Sequence, residues 1–495
     1  MTNICIDQNS GNILIWTDNL VVKSLLEVKR TVAKYVFWKR TYSNVEEVVK
    51  IYEEKRATKD KSGYYNFSVK RGFACYLLNV LKPYITQEEA DSLLSLVFSE
   101  ERREIPFKNL LDIQNEDILY LLKYKFGLFS CYTGYGKTEV ISTLANYALS
   151  IGKKVLLVTP GSKARDELVK RCKERFNLDP SDNLKFIITS GFMNRLDYKD
   201  PKKRQDIIQE LKTFDWVLSD EVEYCINPAG EFIFSNCTNA TNLYGFSGTA
   251  DKKSGKILSF CNGLDETIVN NLELVKYFGP SLVYRMPLDK IVNYIKIKTS
   301  TLDNISFSSS DMSSDNNVYM TVMNKIWTDP GVSDLIVKLA YKYPMMFIPV
   351  NNLAEIIMGW INNYFIGKFR ILLVCAEGYI YYDINGNKTK LSLTEACDYI
   401  KNGVVDIIPS TSSGYRALDL PNLKYVFSLQ GNNAGVFLQY VGRIRAKEMN
   451  IISLEPEKSK RIPVYTKGCV ERDKMIQEYY KYSIINNITI NENNI

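Results

Sequence analysis

Residues 127–140 read GLFSCYTGYGKTEV. An apolar run ends at Cys131, a turn carries Gly134 and Gly136, and Lys137-Thr138 open the amphipathic stretch EVISTLANYALS. The order is strand, glycine turn, helix. Glycine lets backbone N–H groups approach phosphate oxygens, and a helix N-terminus aims unpaired N–H groups at an anion. In that geometry the Lys137 ammonium reaches the β and γ phosphates of a nucleotide, and the Thr138 hydroxyl ligates Mg2+. Thr133, Gly134, Tyr135 and Gly136 complete the loop. The strict pattern G-x-x-x-x-G-K-[ST] places glycine at 131, where this chain has Cys131; a loop that binds phosphate through its backbone tolerates the exchange.

Outward from this loop, short apolar runs alternate with amphipathic segments: KVLLVTP (154–160), LKFIITS (184–190), DWVLSD (215–220) and LYGFSG (243–248). Such alternation predicts parallel strands joined by crossover helices. After a Ser/Asp/Asn-rich stretch at 299–317 the rhythm returns with MMFIPV (345–350), RILLVC (370–375), VVDIIPS (404–410) and KYVFSL (424–429), separated by helix-like segments such as 351–365. Two tandem α/β domains follow, over 106–290 and 291–495, behind a smaller region at 1–105. In that first region the spacing predicts a helix over 21–38 and another in GFACYLLNVL (72–81). The closing NNITINENNI (486–495) is polar and reads as a frayed end.

A chain of 495 residues exceeds one ordinary core. Hydrophobic content of 45% and charged content of 24% are those of a soluble globular protein. The net charge of +7 is mild, so a basic channel for a polyanion has to be local. Ten cysteines lie scattered without a C-x-x-C pair, which predicts reduced thiols, no zinc framework and a cytoplasmic setting. The opening MTNICIDQNSGN lacks the pattern of a signal peptide, and no run approaches the ~18 apolar residues of a membrane span. The chain has no histidine, which removes His-based triads, His-ligated zinc and imidazole bases. Carboxylates, Lys, Arg, hydroxyls and a bound metal are left to carry any catalysis.

SDEVEY (219–224) puts three carboxylates at the end of the apolar run Trp216-Val217-Leu218. Ligands of α/β sheets sit beyond the carboxyl ends of the strands, so an acid there faces the phosphate loop. Asp220 is the candidate to hold Mg2+ through water, and Glu221 to polarise the water that attacks the γ-phosphate. The plainer alternative is a solvated turn. A guanine-specific site needs N-K-x-D, and NKIW at 324–327 lacks the Asp. ATP is therefore the expected nucleotide.

These motifs resemble those of superfamily-2 helicases and translocases. TGYGKT (133–138) is similar to their motif I, DEVE (220–223) to motif II, FSGTAD (246–251) to motif III and QYVGRIRAK (439–447) to motif VI. TPGSKARDEL (159–168) is similar to motif Ia, and STSSGYRALDLPNL (410–423) to motif V, with Asp419 at its acidic position. Within the superfamily the chain looks most like the phage branch-migration helicases related to UvsW, and more distantly the XPB-like group. YFGPSLVYRMPLDKIV (277–292) is similar to their interdomain strand and turn.

The resemblance implies two tandem RecA-like parallel-sheet domains with a small N-terminal α+β accessory domain, and ATP hydrolysis with Mg2+ between the two lobes. It also implies that Gln114 reads adenine, that Gln439 with Arg443 or Arg445 senses the γ-phosphate, and that Glu223, Ser247 and Thr249 couple hydrolysis to nucleic acid. An Arg suits that task because hydrolysis builds charge on the γ-phosphoryl. Two departures stand out: Arg445 follows Arg443 by two positions where relatives have three, and Glu223 stands where many carry His or Asp. The host would be bacterial if the chain is phage-encoded.

The expected partner is nucleic acid, DNA in forked, branched or duplex form, and no motif points to a protein partner. Candidate contacts lie in TPGSK (159–163, with Lys163), TSGF (189–192, with Thr189) and STSSG (410–414, with Thr411), each equally readable as a polar loop. KRTVAKYVFWKRTY (29–42) interleaves basic residues with aromatics that include Trp38. It reads first as an amphipathic helix with its aromatics in a small core, and second as a base-stacking surface. An RNA-directed or transcription-linked translocase, and a nucleotide-gated binding protein without turnover, are the alternatives.

Overall fold

A computed structural model describes the chain apart from residues 1, 8–11, 37–40, 55–63, 101–102, 104–105, 109, 133, 196–200, 249–271, 308–317, 351–353, 376, 412–422, 430–440, 443, 445 and 459–462; for 28–36, 41–47, 163, 194–195, 318–320, 354 and 463–464 it describes the backbone alone. The chain divides into two compact units, Met1–Cys131 with Tyr135–Arg285, and Tyr132–Gly134 with Met286–Ile495.

The first unit begins with a small α+β layer. Strands β1 (Thr2–Ile6), β2 (Ile13–Thr17), β5 (Tyr52–Glu54) and β6 (Tyr65–Val69) form an antiparallel sheet in the order β1-β2-β6-β5. Between them come helix α1 (Leu20–Leu25) and the strands β3 (Glu27–Val36) and β4 (Thr41–Lys50); α2 (Ala74–Leu81) and α3 (Gln87–Val97) follow. Ile13, Ile15, Phe67, Val69, Leu77, Leu81 and Leu93 fill its core. The helix expected over 21–38 stops at Leu25. Beyond it β3 and β4 pair antiparallel, with Val32 opposite Val45 and Tyr35 opposite Tyr42. Val28, Thr31, Val32, Tyr35 and Val36 are β-branched or aromatic, the types that fit a pleated surface and lose χ1 freedom in a helix. Trp38 lies outside the described residues.

This layer is joined to the rest of its unit at Arg71-Gly72. The Arg71 guanidinium donates to the carbonyls of Cys237 (2.8 Å), Ala240 (3.1 Å) and Thr238 (3.3 Å), just past a helix end that leaves carbonyls unpaired. A Cβ on Gly72 would stand 2.0 Å from the Val275 carbonyl oxygen, so only glycine permits that approach.

The larger part of the unit runs α4 (Asp112–Leu121), β7 (Phe126–Cys131), α5 (Lys137–Ser150), β8 (Val155–Thr159), α6 (Ser162–Phe176), β9 (Leu184–Ile188), α7 (Phe192–Arg195), α8 (Pro201–Leu211), β10 (Trp216–Ser219), α9 (Val222–Cys225), α10 (Pro228–Asn236), β11 (Asn242–Ser247), a helix at Leu272–Phe278 and β12 (Ser281–Arg285). Its sheet has the order β12-β7-β11-β10-β8-β9, every pair parallel. β7, β8, β10 and β11 are buried at every residue, as strands covered on both faces must be.

The second unit carries β13 (Ile291–Thr299), β14 (Met346–Val350), β15 (Ile371–Cys375), β16 (Gly378–Tyr382), β17 (Lys388–Leu391), β18 (Ile407–Thr411), β19 (Tyr425–Ser428), β20 (Glu448–Pro456) and β21 (Ile484–Asn491), in the order β17-β16-β15-β18-β14-β19-β20-β13-β21. Its pairs are parallel except β15–β16 and β16–β17, which make an antiparallel edge. Both α/β sheets are thus parallel-stranded at their centres, one in each unit, with a small N-terminal α+β layer in the first.

The tail expected to fray is instead β21. It pairs in parallel with β13 from Ile291 opposite Ile484 to Lys298 opposite Asn491. Its isoleucines suit a strand, and the Glu492 carboxylate accepts hydrogen bonds from the hydroxyls of Thr299 and Thr301. No helix among the described residues is long and apolar enough to cross a membrane.

Candidate nucleotide site

The carboxyl ends of β7 and β10 lie on one edge of a parallel sheet, separated by β11. One strand runs into the glycine loop and α5, the other into Asp220-Glu221. Gly134 has φ +101° and Gly136 φ +95°, both in the left-handed region that favours glycine. The Gly136 carbonyl accepts the Val140 N–H (3.1 Å), which starts α5 directly behind the loop. A Cβ at Gly136 would fall 2.6 Å from Gln114 Nε2.

Gln114 is buried on the first turn of α4. Its Nε2 donates to the Tyr135 carbonyl (2.7 Å) and its Oε1 accepts from the Leu111 N–H (3.0 Å). The Tyr135 hydroxyl donates to Asp117 Oδ2 (2.6 Å), and the ring packs on Phe129 with centroids 5.6 Å apart. Burial and the hydrogen bond to Asp117 hold this phenol above the ordinary tyrosine range. Cys131 is buried, and burial pushes its thiol up to about 12, so it acts as a packing residue.

Lys137 is 9% exposed, and its Nζ stands 3.8 Å from Glu221 Oε1. Burial works against the ammonium, but Glu221, Cys131, Asp220 and Glu223 together raise its pKa above the ordinary lysine value. The charge therefore stays on. Thr138, the next residue, is half-buried on the first turn of α5. Glu139 forms ion pairs with Arg171 (Nε at 3.0 Å) and Arg175 (Nε at 2.8 Å), which tie α5 to α6.

The Asp220 N–H donates to the Val158 carbonyl (2.9 Å), extending the β10–β8 pairing by one residue. Its Oδ1 accepts from the Glu221 N–H (2.9 Å). Burial, and then the neighbouring Glu221, hold the Asp220 carboxyl above the usual carboxylate range. A divalent cation would reverse that preference. Glu221 caps α9 with φ +45° and ψ +49°, a left-handed conformation that costs a non-glycine residue about 1–2 kcal/mol.

The residues fit a nucleotide with Mg2+. The loop turns through two left-handed glycines into the start of α5, and the donor set is an ammonium, a hydroxyl and a buried carboxylate. Among the described residues no group of three or more acids or cysteines could hold a metal alone. Mg2+ needs no such group, since it keeps waters and takes phosphate oxygens with one or two carboxylates.

The structure brings Asp220, Glu221 and Glu223 into electrostatic reach of Lys137. Ser247 ends β11 between the two strands, fully buried and opposite Ser130 of β7. Thr189 is buried and its hydroxyl accepts from Asn227 Nδ2 (3.2 Å), while Asn227 Oδ1 caps α10. Thr411 ends β18 in the second unit and is buried there. Thr133, Thr249, Asp419, Gln439, Arg443 and Arg445 lie outside the described residues, as does the Lys163 side chain. Sequence reasoning missed Asp117, Asn227 and Arg285. Asp117 had one available signal, its spacing of three residues from Gln114 on the same helix face.

No family model matches the chain. Putative helicase 22 of Sulfolobus islandicus filamentous virus (isolate Iceland/Hveragerdi) is 24% identical over 350 residues, 66% of this chain and 58% of that protein, so the match spans little more than half of the relative. Among solved structures, the crystal structure of T4 UvsW covers 99% of both chains at 13% identity, with a TM-score of 0.35. Dbp5 of S. cerevisiae bound to RNA and ADP BeF3 covers 77% of this chain and 90% of its own at 11% identity and a TM-score of 0.46. The Mycobacterium smegmatis helicase Lhr bound to ssDNA and AMP-PNP covers 75% of this chain and 48% of its own at 14% identity, also with a TM-score of 0.46. With its motifs in order along the chain and a viral putative helicase as a sequence relative, the chain resembles superfamily-2 helicases.

Proposed function

We propose that the chain is an ATP-dependent helicase or translocase that remodels branched or duplex DNA, hydrolysing ATP with Mg2+. One observation carries the reading: Lys137, at the start of α5 behind two left-handed glycines, faces Glu221 beside the buried Asp220 at the carboxyl edge of a parallel sheet. The loop N–H groups and Lys137 bind phosphate, Thr138 and Asp220 hold Mg2+, and Glu221 takes the proton of the attacking water. Mg2+ held by Thr138 and Asp220 would supply positive charge against the negative charge that develops on the phosphates. Lys137 leaves Glu221 for phosphate, which frees that carboxylate to act as the base.

The finer roles belong to the same proposal: Gln114 and Asp419 toward the nucleotide; Gln439, Arg443 and Arg445 toward the γ-phosphate; Glu223, Ser247 and Thr249 in coupling; Lys163, Thr189, Thr411 and Trp38 toward the nucleic acid. Residues 1–105 serve as an accessory domain, with 106–290 and 291–495 as the two lobes.

ATP turnover measured with single-strand, duplex, fork, four-way-junction and RNA substrates tests this. Strongest stimulation by branched or duplex DNA supports the reading. Preference for RNA forks replaces DNA by RNA. ATP binding without turnover, indifferent to Glu221→Gln, leaves a nucleotide-gated binding protein. No stimulation by any substrate, with Lys137→Ala without effect, overturns the whole.

A further inference from the structure

Asp117 is buried on α4, its side chain 7% exposed, and both its oxygens are occupied. Oδ2 accepts from the Tyr135 hydroxyl (2.6 Å) and from Arg285 Nε (2.9 Å); Oδ1 accepts from Arg285 Nε (3.1 Å) and Nη2 (2.6 Å). A bidentate Arg–carboxylate pair is among the strongest and most directional polar contacts a protein makes. Tyr135 is the side chain between the two left-handed glycines, and Gln114 holds its carbonyl as well. Its backbone therefore cannot shift without breaking one of these bonds. At the other end, Arg285 is the last residue of β12, pairs in register with Cys131 where the loop begins, and is the last residue of the first unit, directly before Met286.

We infer that Tyr135, Asp117 and Arg285 form a positioning device that ties the phosphate loop to the chain segment leaving the first unit, so that the loop's affinity for nucleotide depends on where Arg285 is held. The inference rests on the proposed nucleotide site at Gly134–Thr138. Linkage makes the effect reciprocal: a device that lets Arg285 set nucleotide affinity also lets bound nucleotide bias the position of Arg285. Arg285 and Asp117 act through Tyr135 and touch no phosphate in this scheme.

The test uses the full chain, a fluorescent ATP analogue as the binding probe, and steady-state ATPase with and without forked DNA. Arg285→Gln and Tyr135→Phe each weaken analogue binding about three- to tenfold, the range of one or two lost hydrogen bonds. Arg285→Gln raises KM for ATP by the same factor and leaves kcat at saturating ATP within about twofold. The double variant binds no worse than the weaker single one, because both act through Asp117. Arg285→Lys, which keeps the charge but loses the fork, recovers part of the loss. Independent, additive losses in the double variant overturn the inference, as does unchanged binding in both singles. If Lys137→Ala also leaves analogue binding unchanged, the nucleotide site itself fails; if Lys137→Ala abolishes binding while Tyr135→Phe and Arg285→Gln do nothing, only the device fails. Melting curves accompany each variant, and Tyr135→Phe, which keeps the ring on Phe129, decides the matter if Arg285→Gln does not fold.

Discussion

The glycine loop after β7 and the acidic turn after β10 end parallel strands on the same edge of one sheet, but they are held in different ways. The loop takes its left-handed turns at Gly134 and Gly136 and is braced from behind by side chains, Gln114 on the Tyr135 carbonyl and Asp117 on the Tyr135 hydroxyl. The acidic turn takes its left-handed residue at Glu221, a non-glycine, and is held through its own backbone N–H groups: Asp220 N–H on the Val158 carbonyl, Glu221 N–H on the Asp220 carboxylate. The loop has its shape built in, while the acids sit in a strained, buried turn whose charge is balanced by Lys137 across the gap. Changes to the loop should therefore register in nucleotide binding, and changes to the acids in turnover.

Lys137→Ala removes the one charge both halves share and has the largest expected effect. Turnover falls about 10²- to 10³-fold, the scale for loss of one charge-stabilising donor, and analogue binding weakens with it. Glu221→Gln is next. Turnover falls about 10²-fold through loss of the base, while analogue affinity stays within about threefold. Equal losses in binding and turnover for Glu221→Gln would erase the distinction between the two halves. Gly136→Ala acts from the loop side. A Cβ at φ +95° costs about 1–2 kcal/mol and presses on Gln114 Nε2, so analogue binding drops about tenfold and the melting temperature falls by a few degrees. Unchanged binding in that variant would mean that the brace behind the loop does not set its shape.

The loop was readable because its chemistry is contiguous: strand, two glycines, Lys137-Thr138 and helix fall within fourteen letters of sequence. Asp220 and Glu221 were readable from the rule that acids at a strand's carboxyl end face the ligand edge. The brace was not. Asp117 and Arg285 stand far apart in sequence and meet because β12 inserts beside β7, an order that periodicity does not reveal. The same limit explains two misread elements. β21 looked frayed because an edge strand can hold its place through backbone pairing to β13 while most of its residues stay exposed. β3 looked helical because the spacing of Leu20–Leu25 seemed to continue, although the β-branched residues from Val28 onward favour a strand.

The smallest expected effect is that of Glu223→Gln. Glu223 lies half-buried on the turn of helix that Glu221 caps, and its carboxylate is the weakest of the four influences that raise the Lys137 pKa. Removing its charge should leave Lys137 protonated, because Glu221 and Asp220 remain. Analogue binding and basal turnover accordingly stay within about twofold, a change worth a fraction of a pKa unit. If Glu223 carries the signal between hydrolysis and nucleic acid, the ratio of DNA-stimulated to basal turnover falls about threefold, within the range for residues that modulate coupling without contacting ligand. That ratio separates the two halves of the site where binding and basal rate cannot. A loss confined to stimulation puts coupling on the acidic turn, whereas an unchanged ratio makes Glu223 a solvated turn residue and leaves the loop's own brace as the place to look for the signal.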